Sequence, residues 1–408
     1  MASDRQFVII GAGQAGGWTA KTLRDQGFDG KIVLVGDERH PPHERPPLSK
    51  QVLCGDAEPE VCHLWPANQW AALNVDFRPG VKIANVHRTE HTVETSRGEK
   101  IPYEKLMIAT GSRPRLLPTH GTQLKGVFYL RYVGDSLMIR ERLVPGATVV
   151  IVGGGWIGLE VAAAAKKRGA NAVVVEFADR LCARALSPDM SEAILDLHKK
   201  HGVDVRLKRS VTRFEGEGAL ERVVLNDGME IATQCVVIGI GIEPNIELAA
   251  EADLEVENGI VVDETGRTSD PDIYAAGDVT NHPNALLGRR VRLESWENAQ
   301  NQAIAAAKAM LGKPEPYAEI PWFWSDQYDA NIQLVGLPER YDEVAVRGDR
   351  NGGTFTSFYL LGGKIVGVAG INTGRDVRFA RRLIASGAAA TVAQLSDPNV
   401  KLQSLAKK

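Results

Sequence analysis

At 408 residues the chain is longer than one ordinary core supports and suits two or three domains. Its 44% hydrophobic and 24% charged residues are those of a globular protein, which excludes a disordered chain. A net charge of −3 gives no electrostatic reason to expect nucleic acid or an anionic membrane as partner.

The chain runs into its first strand by Phe7 without the basic, apolar, small-residue succession of a signal peptide, so a cytoplasmic protein is expected. Phe7-Val8-Ile9-Ile10 leads into Gly11-Ala12-Gly13-Gln14-Ala15-Gly16, a G-x-G-x-x-G fingerprint between a strand and a helix. In that motif the first glycine makes the tight turn, the second lets backbone approach a pyrophosphate, and the third lets helix pack on sheet. The helix N-terminus then offers unpaired N–H groups to the anion. One such motif is weak, since glycine-rich turns also simply end strands. A second strand, Lys31 to Gly36, ends at Asp37, where a carboxylate can take a ribose hydroxyl pair.

Pro41 to Lys50 is rich in proline and predicts a stiff loop. Short strands are expected between Val75 and Val93, and another, Tyr103 to Ile108, ends at Ala109-Thr110-Gly111-Ser112. From Pro114 the plan repeats. Thr148 to Val152 leads into Gly153-Gly154-Gly155-Trp156-Ile157-Gly158, and Ala172 to Val175 ends at Glu176. The apolar tract Ala147 to Ala165 is broken by four glycines and Glu160, so it is strand, loop and helix and no membrane span. Glu176 would bind a ribose and repel a 2′-phosphate, which favours NAD over NADP, although Arg180 and Arg184 lie close. This unit ends in Cys235 to Gly241 and reads as an insertion. Asp272 to Asp278 and an alanine-rich helix from about Glu297 to Met310 return the chain to the first sheet.

After Pro321 the pattern changes to period-two segments, Glu343 to Arg347 and Thr354 to Leu360, which predict half-buried antiparallel strands. Helices are expected near Arg375 to Ser386 and Ala390 to Gln394. The fold class is therefore α/β, with two Rossmann-like dinucleotide-binding domains and a C-terminal α+β domain. The expected division is 1–113 with 246–320, then 114–245, then 321–408. Cys54, Cys62, Cys182 and Cys235 are scattered without a C-x-x-C pair, and the histidines are dispersed, so neither a redox dithiol nor a metal centre is expected.

In order, Arg45-Pro46-Pro47-Leu48-Ser49-Lys50, Ala109-Thr110-Gly111, Gly158-Leu159-Glu160, Ala276-Gly277-Asp278 and Pro321-Trp322-Phe323-Trp324-Ser325-Asp326-Gln327 carry a resemblance over nearly the whole chain. The sequence resembles the glutathione-reductase-like, FAD-dependent, NADH-using ferredoxin reductases of bacterial oxygenase systems, the group of putidaredoxin reductase and the aromatic-ring dioxygenase reductase components. Apoptosis-inducing factor shares the broader architecture without the tryptophan-rich segment.

The resemblance implies FAD in the first domain, its pyrophosphate over Gly11, Gly13, Ala15 and Gly16 and its ribose on Asp37. Arg45, Ala109, Thr110, Gly111 and Arg131 lie along that cofactor, Ile83 offers backbone to the adenine side, and Asp278 takes the ribityl chain. Ser295 and Trp296 fall at the pyrimidine end of the flavin, where the family often has an aliphatic residue instead of tryptophan. NADH is assigned to Gly153, Gly155, Trp156, Ile157, Gly158, Glu176, Arg184 and Gly241. Lys50 and Glu160, from different domains, would pair near flavin N5; otherwise they are a solvated lysine and a surface acid. Trp324 either covers the flavin or is core.

The implied activity is transfer of electrons from NADH through FAD to a [2Fe-2S] ferredoxin, with no nucleic acid or membrane partner and a monomeric or homodimeric protein. Arg378, Arg381 and Arg382 are candidates for meeting an acidic ferredoxin, or form a solvated helix face. Two other readings share the fingerprints: a pyridine nucleotide–disulfide reductase or NADH oxidase, against which the missing dithiol weighs, and a non-catalytic flavoprotein that senses NADH.

Overall fold

The computed structural model describes residues 5–406. It falls into two compact units, the described part of Met1–Glu44 with Cys62–Arg113 and Glu243–Pro321, and Arg45–Val61 with Pro114–Ile242 and the described part of Trp322–Lys408.

The first unit is built on a five-stranded parallel sheet in the order Ile273–Ala275, Lys105–Ile108, Gln6–Ile10, Lys31–Gly36, Asp76–Pro79. Continuous apolar runs such as Phe7 to Ile10 suit it, because a parallel strand is covered on both faces. Small side chains let two helices share one side: Ala15 and Ala20 of Gln14–Asp25 and Ala299, Ala303 and Ala306 of Trp296–Met310 lie in one core cluster. Ile273 pairs with Leu106, so the chain does return to the first sheet after the second fingerprint. The sheet order reverses between Gln6–Ile10 and Lys105–Ile108, and ligands of such sheets bind beyond the strand ends at that point.

The second unit repeats the plan with Asp204–Leu207, Asn171–Glu176, Thr148–Val152, Cys235–Ile238 and Val127–Tyr129, all parallel. It also holds a five-stranded antiparallel sheet, in the order Trp322–Gln327, Ala330–Gly336, Lys364–Ile371, Thr354–Leu361, Glu343–Asp349. Thr354–Leu361 is not half-buried as its alternation predicts. All six interior residues are buried, because Phe355 and Tyr359 join the core of the parallel sheet while Ser357 and Phe358 are also shielded.

The proline-rich stretch is also more ordered than a loop. Pro46–Ser49 forms a 3-10 turn and Gln51–Cys54 a short helix, since proline lacks only a donor that the first turn leaves unused. The last α-helix is Val392–Ser396, starting after Ala390 because Thr391 caps it: Gln394 N donates to Thr391 Oγ1 and Thr391 N to Gln394 Oε1.

Burial holds the imidazoles of His198 and His282 down at about 4. An unfolded histidine binds a proton near 6.5, so stability present above that pH is lost as pH falls from 6.5 through 4, on the order of 3 kcal/mol per residue. His282→Leu is expected to flatten this dependence in guanidinium unfolding curves measured between pH about 7 and about 4.5.

Candidate nucleotide and electron-transfer sites

In both fingerprints the outer glycines are required by the protein itself. Gly11 and Gly153 have φ of +107° and +109°, where a side chain is strained, and a Cβ there would collide with the carbonyl oxygens of Ala109 and Gly239. A Cβ on Gly16 or Gly158 would strike the carbonyl oxygen of Gly11 or Gly153. The middle glycines differ. A Cβ on Gly13 or Gly155 would meet nothing within 4 Å. The protein has no packing reason to exclude a side chain there, whereas a pyrophosphate laid over the helix N-terminus does. Neither helix, Gln14–Asp25 or Trp156–Lys167, has an acidic residue in its first turn to compete with an anion. The residues therefore fit a dinucleotide in each unit.

Around the first fingerprint, Asp37 is exposed at the end of its strand. Asp278 accepts from Ser112 Oγ at 3.0 Å, which orients it. Asn245 clasps the Ala109-Thr110-Gly111 turn: its Nδ2 donates to Thr110 O at 2.8 Å, its N to Gly111 O at 3.0 Å, and its own carbonyl accepts from Thr110 Oγ1 at 2.9 Å. Ile83 is buried, Ser295 caps the helix by accepting from Asn298 N at 3.2 Å, and Trp296 Nε1 donates to Glu44. The Gln14 amide is buried with both polar atoms unpaired among protein groups, which a bound nucleotide would relieve. Gln14 occupies a variable position of the motif, so sequence spacing did not single it out.

Around the second fingerprint, Glu176 accepts from Gly154 N and, at 2.7 Å, from Ala178 N, so its carboxylate is fixed at the strand end. Arg180 spends its guanidinium on the Ala183 carbonyl, 2.8 Å away, and Arg184 lies beside Gly241. Trp156 packs against Phe323, centroids 5.1 Å apart, and Ile157 is exposed in the first turn.

Lys50 and Glu160 lie in the same compact unit and meet there, Lys50 Nζ 2.8 Å from Glu160 Oε1. Glu160 is only 3% exposed, so it is no surface acid. Burial of a carboxylate is costly unless it is paired and hydrogen-bonded, and Ser49 Oγ and Ser325 Oγ donate to its two oxygens. Trp324 is half-buried, stacked on Trp322 at 5.0 Å, with its ring centroid 5.9 Å from Lys50 Nζ. Arg45 Nη1 donates to the Arg131 carbonyl at 2.6 Å.

All four cysteines are free. Burial pushes the thiols of Cys54 and Cys182 up and that of Cys235 up to about 12, so these three are protonated and poor nucleophiles.

Residues 5–303 match the family described as pyridine nucleotide-disulphide oxidoreductase, and residues 322–406 the one described as Reductase C-terminal. The chain is 44% identical over 410 residues to the anthranilate 1,2-dioxygenase system ferredoxin–NAD(+) reductase component of Burkholderia cepacia, covering 99% of each. It is 42% identical over 398 residues to rhodocoxin reductase of Rhodococcus erythropolis, covering 97% of this chain and 93% of that one. The fold is similar to a crystal structure of the covalent putidaredoxin reductase–putidaredoxin complex, with TM-score 0.96, 37% identity, and 99% and 98% of the two chains covered. The chain belongs to the pyridine nucleotide-disulphide oxidoreductase family, among the FAD-dependent NADH:ferredoxin reductases of bacterial oxygenase systems.

Proposed function

We propose that the chain, in the cytoplasm, takes hydride from NADH held at Gly153 to Gly158 and delivers single electrons to a small [2Fe-2S] ferredoxin that serves an oxygenase. FAD, over Gly11 to Gly16, supplies the conversion of two-electron into one-electron chemistry. The protein's share is to bind, orient and shield. The observation that carries the reading is the pair of open glycines, Gly13 and Gly155, each at a helix N-terminus above its own parallel sheet. Asp37 and Glu176 take the two riboses, and the paired Lys50 and Glu160 order the site as the nicotinamide arrives. We assign 1–113 with 246–320 to FAD, 114–245 to NADH and 321–408 to the third domain. No helix among the described residues is long and apolar enough to cross a membrane.

Rapid mixing with NADH, followed by ferredoxin, a disulfide or nothing, separates the three candidate activities. Fast flavin bleaching and fast reoxidation by ferredoxin are expected; reoxidation by the disulfide alone would point to the disulfide reductase. Trp324→Ala is expected to slow ferredoxin reduction more than ferricyanide reduction, and equal slowing of both would make Trp324 a packing residue.

Arg378 and Arg382 are exposed on the helix Gly374–Ala385, with Arg381 half-buried on the same element. If they meet an acidic ferredoxin, raising salt weakens ferredoxin reduction steeply while NADH reduction barely changes. Equal salt response in both steps contradicts this assignment.

A further inference from the structure

A line of buried hydrogen bonds runs from Glu160 away from Lys50. The strand Trp322–Gln327 alternates, so Trp324 and Asp326 share one face while Ser325 and Gln327, both 0% exposed, share the other. Ser325 Oγ is 2.6 Å from Glu160 Oε1 and 3.0 Å from Gln327 Nε2. Gln327 Oε1 is 2.8 Å from His198 Nε2, and the Tyr328 hydroxyl is 3.0 Å from His198 Nδ1.

The chemistry of the groups dictates the direction of every bond. An amide nitrogen only donates, so Gln327 fills an acceptor position of Ser325 and turns its single proton onto Glu160. The Gln327 oxygen must then accept, which places the proton of His198 on Nε2 and leaves Nδ1 to accept from Tyr328. Desolvation keeps this imidazole neutral, as that arrangement requires. The far end is fixed by shape: Tyr328 has φ of +57° in the turn between Gln327 and Ala330, and its ring stacks on His201 at 3.7 Å and 5°. Turning the Ser325 proton towards Gln327 would set donor against donor, and moving the His198 proton to Nδ1 would set two acceptors, Nε2 and the Gln327 oxygen, against each other.

We propose that Ser325, Gln327 and His198 are positioning residues whose aligned hydrogen bonds hold the Glu160 carboxylate against Lys50, and that hydride transfer depends on that alignment. This rests on the role proposed above for the Lys50–Glu160 pair. The three residues need not touch either nucleotide; they act through Glu160.

The test uses the FAD-loaded protein. Ser325→Ala and Gln327→Leu are each expected to slow flavin reduction at saturating NADH about tenfold, with the NADH dissociation constant changed less than about twofold. Because both act through one carboxylate, the double variant should be no slower than the slower single one. His198→Gln retains a donor where Nε2 stood and should keep most of the rate, whereas His198→Leu should match Gln327→Leu. Independently of activity, a crystal structure of Ser325→Ala should show Lys50 Nζ and Glu160 Oε1 separated beyond about 4 Å.

Multiplicative losses in the double variant, a raised dissociation constant at unchanged rate, or an unmoved Glu160 would overturn the inference. Glu160→Gln separates the two levels. If it leaves hydride transfer intact, the role of the Lys50–Glu160 pair falls; if it slows transfer and Ser325→Ala does not, only the positioning line falls.

Discussion

Glu160→Gln is expected to slow reduction of the bound flavin by NADH about a hundredfold while the protein still folds and stays yellow. The carboxylate is 3% exposed and 2.8 Å from Lys50 Nζ, whose side chain is only 18% exposed. Removing one partner of a buried pair costs about 3–5 kcal/mol, because the other charge stays buried without compensation. If about 3 kcal/mol of that falls on the transition state, two orders of magnitude follow at about 1.4 kcal/mol per decade. Lys50→Met should be comparably slow, since it leaves the opposite charge stranded. The informative protein is the double variant, Lys50→Met with Glu160→Gln. Stability should recover, as both charges are gone, but the hydride-transfer rate should not. Recovery of both would make the pair structural only.

Gly155→Asp is expected to retain FAD and to be reduced normally by dithionite, yet to lose NADH affinity by about a hundredfold. The Cβ itself meets nothing within 4 Å, so the backbone tolerates it. On the proposed assignment, what the new side chain meets is the incoming pyrophosphate. Like charges brought together cost several kcal/mol, and about 3 kcal/mol suffices for the stated loss. Gly158→Ala is the contrasting case. Its methyl would strike the Gly153 carbonyl inside the protein, so it should damage folding of the unit before NADH is added. Normal NADH binding by Gly155→Asp would mean that the second fingerprint does not hold the nucleotide. A third variant addresses selectivity: Glu176→Arg should relax preference towards NADPH, and unaltered NADH selectivity would show that Glu176 does not touch the ribose.

The elements legible in the sequence were those whose signal is local. Strands such as Phe7 to Ile10 and Val149 to Val152 are continuous apolar runs beside glycine turns, and the fingerprints name their own helix starts. The pairing of Lys50 with Glu160 came from resemblance, since nothing in either segment alone indicates the other. What stayed hidden is what depends on distant packing. Thr354–Leu361 looked half-solvated because alternation cannot reveal a second layer that covers the outer face. Pro46–Ser49 reads as a loop because proline breaks a helix interior, yet the same residue suits a first turn. Gln14 fills a variable motif position, Ser325 and Gln327 lie in the tryptophan-rich segment without any sign of their partners, and Asn245 and His198 stand in no motif. Their roles arise from buried donors and acceptors that need partners, which only the fold brings together.

The central claim is that one polypeptide carries electrons from NADH to an iron–sulfur carrier through its flavin, without a thiol relay. The direct measurement is an anaerobic titration of the FAD-loaded protein, first with NADH and then with oxidised [2Fe-2S] ferredoxin, on untreated and thiol-alkylated samples. One equivalent of NADH should bleach the flavin, about two equivalents of ferredoxin should restore it, and alkylation should change neither. Bleaching that ferredoxin cannot reverse, or reoxidation abolished by alkylation, would contradict the account.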